Sequence, residues 1–112
     1  MIMIKNISKK KVVSQKFVYL KGFIEISKGF IGKSNLEAVI FTTRFGIHTF
    51  GLRFPIDVII LDDQKKVVSL KENLKPYRIF IWNPKYKLVV EINKELIKNS
   101  NTKIGDLLQI DL

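Results

Sequence analysis

The eight residues Pro55-Ile56-Asp57-Val58-Ile59-Ile60-Leu61-Asp62 limit the folds open to this chain more than any other stretch. Side chains of a strand alternate between its two faces, so Ile56, Val58 and Ile60 share one face while Asp57, Ile59 and Leu61 share the other. With both faces apolar, the strand needs a covering layer on each side and belongs inside a sheet. Pro55 has no backbone N–H to give and can stand only at the strand's entrance. Asp57 is the exception in the pattern. A carboxylate on a buried face costs several kcal/mol unless donors meet it, or it stays protonated.

Around this strand the chain reads as further short β segments. "MIMIKNI" and "VVSQKFVYL" flank a lysine turn and are rich in β-branched and aromatic residues, as are "EAVIFTT" and "GIHTF" around a turn at Arg44 to Gly46. "DDQK" at 62–65 has hairpin-turn composition, with "KVVSL" running back from it. "YRIFIW" lies between Pro76 and Pro84, and "KLVVEI" alternates Leu88, Val90 and Ile92 against Val89 and Glu91. A short helix is expected around Lys94 to Lys98, then a Gly105-Asp106 turn and a last strand with Leu108, Ile110 and Leu112 inward. Phe23, Ile26 and Phe30, with Ile24 and Ile31, have helical spacing, although Gly22, Gly29 and Gly32 weaken that helix. The expected architecture is α+β and mainly β: one compact domain over residues 1–112, a curled antiparallel-rich sheet or small partly open barrel with one or two short helices.

The 112 residues suffice for one core. With no cysteine there is neither a disulfide framework nor a thiolate metal site. No apolar run is long enough to span a bilayer, and no signal sequence is legible, so a cytoplasmic protein is expected; a processed form of a longer precursor would read the same. Net charge is +10, with ten cations and two acids in residues 1–56 against ten and eight in residues 57–112. That amino-terminal excess, including Lys9-Lys10-Lys11, raises nucleic-acid binding as an alternative function. Seventeen of the twenty cations are lysine, however, whereas base and phosphate recognition leans on arginine, so a solvated basic surface ranks above it.

Candidate functional residues gather near the entrance of the central strand. Asp57 needs a donor, and Arg53, Arg44, Arg78 and His48 are the candidates. If that entrance is a rim, a guanidinium and an imidazole beside a carboxylate would make a pocket for a small anionic or sugar-like ligand, or a contact for a protein partner. The competing reading is a structural brace, with Asp57 accepting hydrogen bonds that pin the bend at Pro55. A hydrolase built on His48 and Asp57 ranks third, because Thr49 beside His48 points to the other face and offers no nucleophile. Asp57 with Glu91 is the one carboxylate pair to consider for acid-base work. Arg78, Phe80 and Trp82 share a face and could stack on bases or sugars, but core packing is the simpler role. One histidine and no cysteine make a protein-held metal improbable, no cofactor is implied, and Gly29 and Gly32 match no phosphate-loop spacing. These residues assign no catalytic group. The leading expectation is a non-enzymatic ligand- or partner-binding module using His48, Arg53, Asp57, Arg44 and Arg78.

"GIHTFGLRFPIDVIILD" (46–62), "LKPYRIF" (74–80), "LVVEI" (88–92) and "IGD" (104–106), preceded by "GFIGK" (29–33), resemble the domain of unknown function 192 family of small bacterial and archaeal proteins. The resemblance covers roughly residues 20 to 112. Lys33 stands where the family usually has arginine, Tyr77 where it has tryptophan, and Lys94-Glu95 where it has a glycine-containing step. It implies a compact β-rich fold of unassigned activity, with some relatives exported and others cytoplasmic.

Overall fold

The computed structural model describes residues 3–20 and 37–110; the expected helix over Phe23 to Ile31 and the "GFIGK" step lie outside the described residues, as does Leu112. In chain order the strands are β1 (Ile4–Asn6), β2 (Lys11–Ser14), β3 (Val18–Tyr19), β4 (Ala38–Thr42), β5 (Ile47–His48), β6 (Ile56–Leu61), β7 (Val67–Leu74), β8 (Ile79–Phe80), β9 (Leu88–Asn93) and β10 (Leu108–Ile110), with a short helix α1 (Leu96–Ser100) between the last two.

A five-stranded sheet, ordered β3-β4-β9-β6-β7, forms the middle of the molecule. Only the β3–β4 pair is parallel. As the double-sided apolar pattern requires, β6 lies inside the sheet and all six of its residues are buried. Its alternation divides the core in two. Ile59 and Leu61 join a cluster completed by β1, β2, β10 and α1 through Ile4, Val13, Leu108, Ile110 and Ile97. Ile56, Val58 and Ile60 join a second cluster with Ile47, Leu52 and the partly buried Phe54, Phe80, Trp82 and Tyr86.

Each face therefore has its own cover. One is the three-stranded sheet β10-β1-β2 with α1, and the other is the two-stranded ribbon β5-β8 with its connecting loops. Among the described strands the central sheet stays open, with β3 and β7 at its edges rather than paired to close a barrel.

Two expected elements differ in extent. The run 12–20 is broken rather than continuous: Ser14 and the Gln15 amide turn to the carboxylate of Glu37, and the chain moves from the outer layer (β2) to the central sheet (β3). The hairpin at 62–65 forms as expected, because Asp62 Oδ1 accepts from the amides of Gln64 and Lys66 at 2.8 and 2.9 Å. Its return strand then runs on to Leu74, well past Leu70. Cutting Ile59 to alanine should cost about 2–5 kcal/mol in urea denaturation, since the cavity left between sheet and cover cannot fill with water. A loss below about 1 kcal/mol would contradict the two-sided cover.

Candidate binding site

Asp57 is 1% exposed. Its carboxylate meets no arginine. Oδ1 accepts from the amide of Asn73 at 2.9 Å, and Oδ2 accepts from the amide of Ile97 at 3.1 Å. The sequence-based expectation of a cationic partner is thus corrected: backbone N–H groups supply the donors. The reason lies in the neighbours. Helix α1 begins after Glu95, at φ 76° and with no side-chain cap, so its first amides need an acceptor from elsewhere. In the β6–β7 pair the register slips between Ile56 and Val58, leaving Glu72 and Asn73 opposite Asp57 as a bulge, with Asn73 at φ 54°. One carboxylate serves both defects. Burial pushes its pKa upward, the three backbone donors at Asn73, Ile97 and Glu95 oppose that, and the charge of Glu72 adds to the rise.

The two carboxyls considered for acid-base work are separated by the sheet. Asp57 pairs in register with Ile92 and Val58 with Glu91, so Asp57 and Glu91 point to opposite faces. Glu91 is 5% exposed, and burial raises its pKa to about 8. Nor does Asp57 orient His48. Asp57 faces the layer holding α1, while His48 lies on the ribbon covering the other face.

Of the exposed candidates, His48 lies on that ribbon and Arg78 stands just before its second strand. The pairs Ile47↔Phe80 and His48↔Ile79 set its faces, with Ile47 and Phe80 inward and His48 and Ile79 outward. Gly46 comes against Ile81, where a Cβ would lie 2.8 Å from its Cγ2, so a side chain at 46 would collide with the β8 segment. The His48 ring stacks on Phe50 (centroids 5.2 Å apart, planes at 24°), and Phe50 meets Tyr77 at 6.2 Å. Tyr77, Ile79 and Ile81 are 70%, 68% and 70% exposed, giving an outer face of apolar and aromatic side chains around one imidazole. The expectation that Phe80 and Trp82 belong to the core holds: both pack in the second cluster, and the Trp82 indole donates to the Tyr86 carbonyl at 2.8 Å.

Thr49 fastens the ribbon. It points inward, as its place beside His48 requires, and is fully buried. Its hydroxyl donates to the Lys75 carbonyl at 2.7 Å and accepts from the Arg78 amide at 2.9 Å, while its own amide donates to the Arg78 carbonyl at 2.9 Å. Tyr77 sits beyond at φ 63°, a left-handed conformation that disfavours an aromatic residue. Of the arginines, Arg44 ties its guanidinium to the carbonyls of Pro84 and Lys85 at 2.8 and 2.9 Å. Arg78 reaches the Tyr77 carbonyl at 3.4 Å, and Arg53 is exposed in the loop before β6. The segments 38–56 and 73–90, which carry the ribbon, contain six lysines and arginines and no acid.

Sequence reasoning did not single out the outward row Phe50, Tyr77, Ile79 and Ile81 as a surface. The alternation of 77–82 was legible, but not which face met solvent. It also missed a buried network in which the Asn6 side chain donates to Thr102 Oγ1 at 2.9 Å and to Asp106 at 3.0 Å. Among the described residues no group of three or more His, Asp or Glu is placed to hold a metal ion, and no helix is long and apolar enough to cross a membrane.

Fold and site together define a small β-rich domain with an open central sheet between two unlike covers, one of which presents an exposed apolar ribbon with basic neighbours. Residues 23–110 match the DUF192 family, described as an uncharacterized ACR, and the chain belongs to that family. It is 36% identical over 93 residues to a UPF0127 protein of Pyrococcus abyssi (strain GE5 / Orsay), covering 78% of this chain and 79% of that one. A UPF0127 protein of Pyrococcus furiosus is 29% identical over 110 residues, covering 93% and 94%. The fold is similar to the crystal structure of a protein of unknown function from Novosphingobium aromaticivorans DSM 12444, with a TM-score of 0.76 at 20% identity over 96% of this chain and 82% of that one. A protein of Sinorhizobium meliloti 1021, provisionally described as a transcription regulator, matches with a TM-score of 0.77 at 14% identity over 97% and 91%.

Replacing Asp57 by alanine should destabilise the protein by about 2–4 kcal/mol, because the buried amide of Ile97 and the part-buried amide of Asn73 lose their acceptor at once. Equilibrium unfolding measures this, and a near-neutral result would remove the brace. Glu91 sets a pH dependence. Its folded pKa of about 8 lies above the ordinary 4.5, so between these values the folded state keeps a proton that the unfolded chain has lost. Stability should therefore fall with rising pH through that window, by up to about 1.4 kcal/mol per unit. Denaturation curves from pH 5 to pH 8 should show the fall in the native chain and a much flatter profile in Glu91→Gln.

Proposed function

We propose that this chain is a binding module without catalysis of its own, and that the outer face of the β5–β8 ribbon holds an acidic segment of a protein partner. The observation that carries the reading is the solvent-facing row of His48, Phe50, Tyr77, Ile79 and Ile81 in a part of the chain rich in cations and free of acids. Apolar and aromatic side chains kept in water mark contact surfaces, and aromatic anchors carry much of the energy of such contacts. Tyr77 adds to this, since an exposed ring on a left-handed backbone is held where the fold alone would favour glycine or asparagine. Arg53 and Arg78 would meet carboxylates of the partner, and Arg44 would shape the rim through the 84–85 turn. Asp57 serves this site from beneath rather than touching the partner. The basic surroundings also disfavour a second copy of the chain as the occupant, because like charges would face each other.

A synthetic peptide alternating glutamate with leucine and phenylalanine is a suitable probe. Amide shifts of the labelled protein should change at residues 46–53 and 77–81 on titration. The pair Tyr77→Ser and Ile79→Ser should weaken binding about tenfold without lowering the melting temperature. Arg53→Gln with Arg78→Gln should weaken it further at low salt than at high salt. Shifts confined to other surfaces, or affinity unchanged in the ribbon variants, would overturn the reading.

A further inference from the structure

The outer face of the β5–β8 ribbon is a ladder of three rungs. The register pairs His48 with Ile79, and partners in an antiparallel pair stand side by side on one face. Two places past His48 and two before Ile79, the rings of Phe50 and Tyr77 meet with centroids 6.2 Å apart. In the other direction Gly46 lies against Ile81, whose Cγ2 would be 2.8 Å from a Cβ at position 46. The rungs are thus Gly46 with Ile81, His48 with Ile79, and Phe50 with Tyr77, spaced at about 6.6 Å, the rise of two strand residues. Ile81, Ile79, Phe50 and Tyr77 offer apolar and aromatic surface, and of the six residues only His48 brings a side-chain N–H.

That N–H has a set position. The imidazole stacks on the Phe50 ring, centroids 5.2 Å apart and planes at 24°, and its Nδ1 accepts from the Phe50 amide at 3.3 Å. With Nδ1 engaged as an acceptor, the neutral ring carries its proton on Nε2. Among the described residues nothing accepts from Nε2, and the side chain is exposed. Water satisfies this donor while the face is bare. Once a partner covers the apolar rungs on either side, the donor needs an acceptor from that partner or loses a hydrogen bond.

We infer that the ribbon reads an extended segment in which one acidic residue has an apolar residue two places away on each side. The carboxylate accepts the Nε2–H of His48, and the flanking apolar side chains cover Ile81 at one end and Phe50 with Tyr77 at the other. This deepens the reading of the ribbon as a contact for an acidic segment, and rests on it. An extended chain presents every second side chain to one face at the spacing of the rungs, whereas a helix presents residues three and four apart and would need a different sequence. A carboxylate accepts more strongly than a neutral amide, and the ribbon segments 38–56 and 73–90, with six lysines and arginines and no acid, favour it further. A wholly apolar partner would leave the imidazole N–H covered without an acceptor, so the single donor also selects against wrong segments.

The test uses the full chain and three short peptides with blocked ends. The first is Ser-Leu-Ser-Glu-Ser-Leu-Ser, and the second has glutamine in place of the glutamate. The third, Ser-Leu-Glu-Ser-Ser-Leu-Ser, keeps the composition and charge of the first but moves the acid off the shared face. Amide-shift titration should place the first peptide on residues 46–50 and 77–81, bound about fivefold or more tighter than the other two. His48→Gln, whose amide nitrogen reaches about as far as Nε2, should keep that preference. His48→Asn, whose shorter amide reaches only as far as Nδ1, should bind all three about equally at an unchanged melting temperature. Shifts absent from the ribbon would overturn this inference together with the ribbon reading. Shifts on the ribbon with all three peptides equal in the native chain, or a preference that survives in His48→Asn, would overturn this inference alone.

Discussion

The Asp57 carboxylate joins three elements at one point. It sits on β6, takes the amide of Asn73 at the bulge of β7, and takes the amide of Ile97 at the start of α1. Without it the Ile97 amide would be a buried donor and the Asn73 amide a part-buried one, both lacking an acceptor, a sizeable cost against the small net stability of a domain this size. The geometry beyond them follows. Because the bulge is held, β7 reaches Leu74 and delivers Lys75 to Arg78 under Thr49, whose hydroxyl and backbone then fix the ribbon. An acid in the heart of the sheet thus positions a surface it never touches.

The two covers differ in how they are made. The layer of β1, β2 and β10 is locked by a polar network running from Asn6 through Thr102 and Ser100, with Asp106 and Lys9 at its rim. The ribbon is held by the Thr49 bonds and by Ile47, Phe80 and Trp82 pressed on the sheet, and it leaves its outer side apolar in water. Side chains on that outer side can change with little effect on the core, because none of them fills it. The residues that hold the fold and those that face solvent are therefore separate within a short stretch of chain.

How far the sequence revealed this depends on the kind of signal. The double-sided apolar strand was legible because period-two patterning encodes burial directly, and Ile56 to Leu61 occupy the two clusters as their alternation demands. Thr49 inward with His48 outward followed from the same rule. The need for a partner at Asp57 was legible too, but not its identity: arginine is the visible donor in a sequence, whereas a bulge amide and an uncapped helix exist only after folding. The separation of Glu91 from Asp57 depends on strand register, which is set by pairing across some thirty residues and is silent in either segment alone. The outward row of Tyr77, Ile79 and Ile81 was hidden for a different reason. Exposed apolar residues look the same in a sequence as buried ones.

The outer strands β1 and β10 pair Ile4 with Ile110 and Asn6 with Leu108, linking positions about a hundred residues apart. Contacts of such long range form slowly, since most of the intervening chain must be ordered first. The central sheet, built from nearer pairings, can therefore assemble before β10 docks. Until that strand pairs, the greasy side formed by Ile59, Leu61, Val90 and Ile92 lacks part of its lid. A folding chain would then be most prone to stick to others in the interval between forming the sheet and closing this lid.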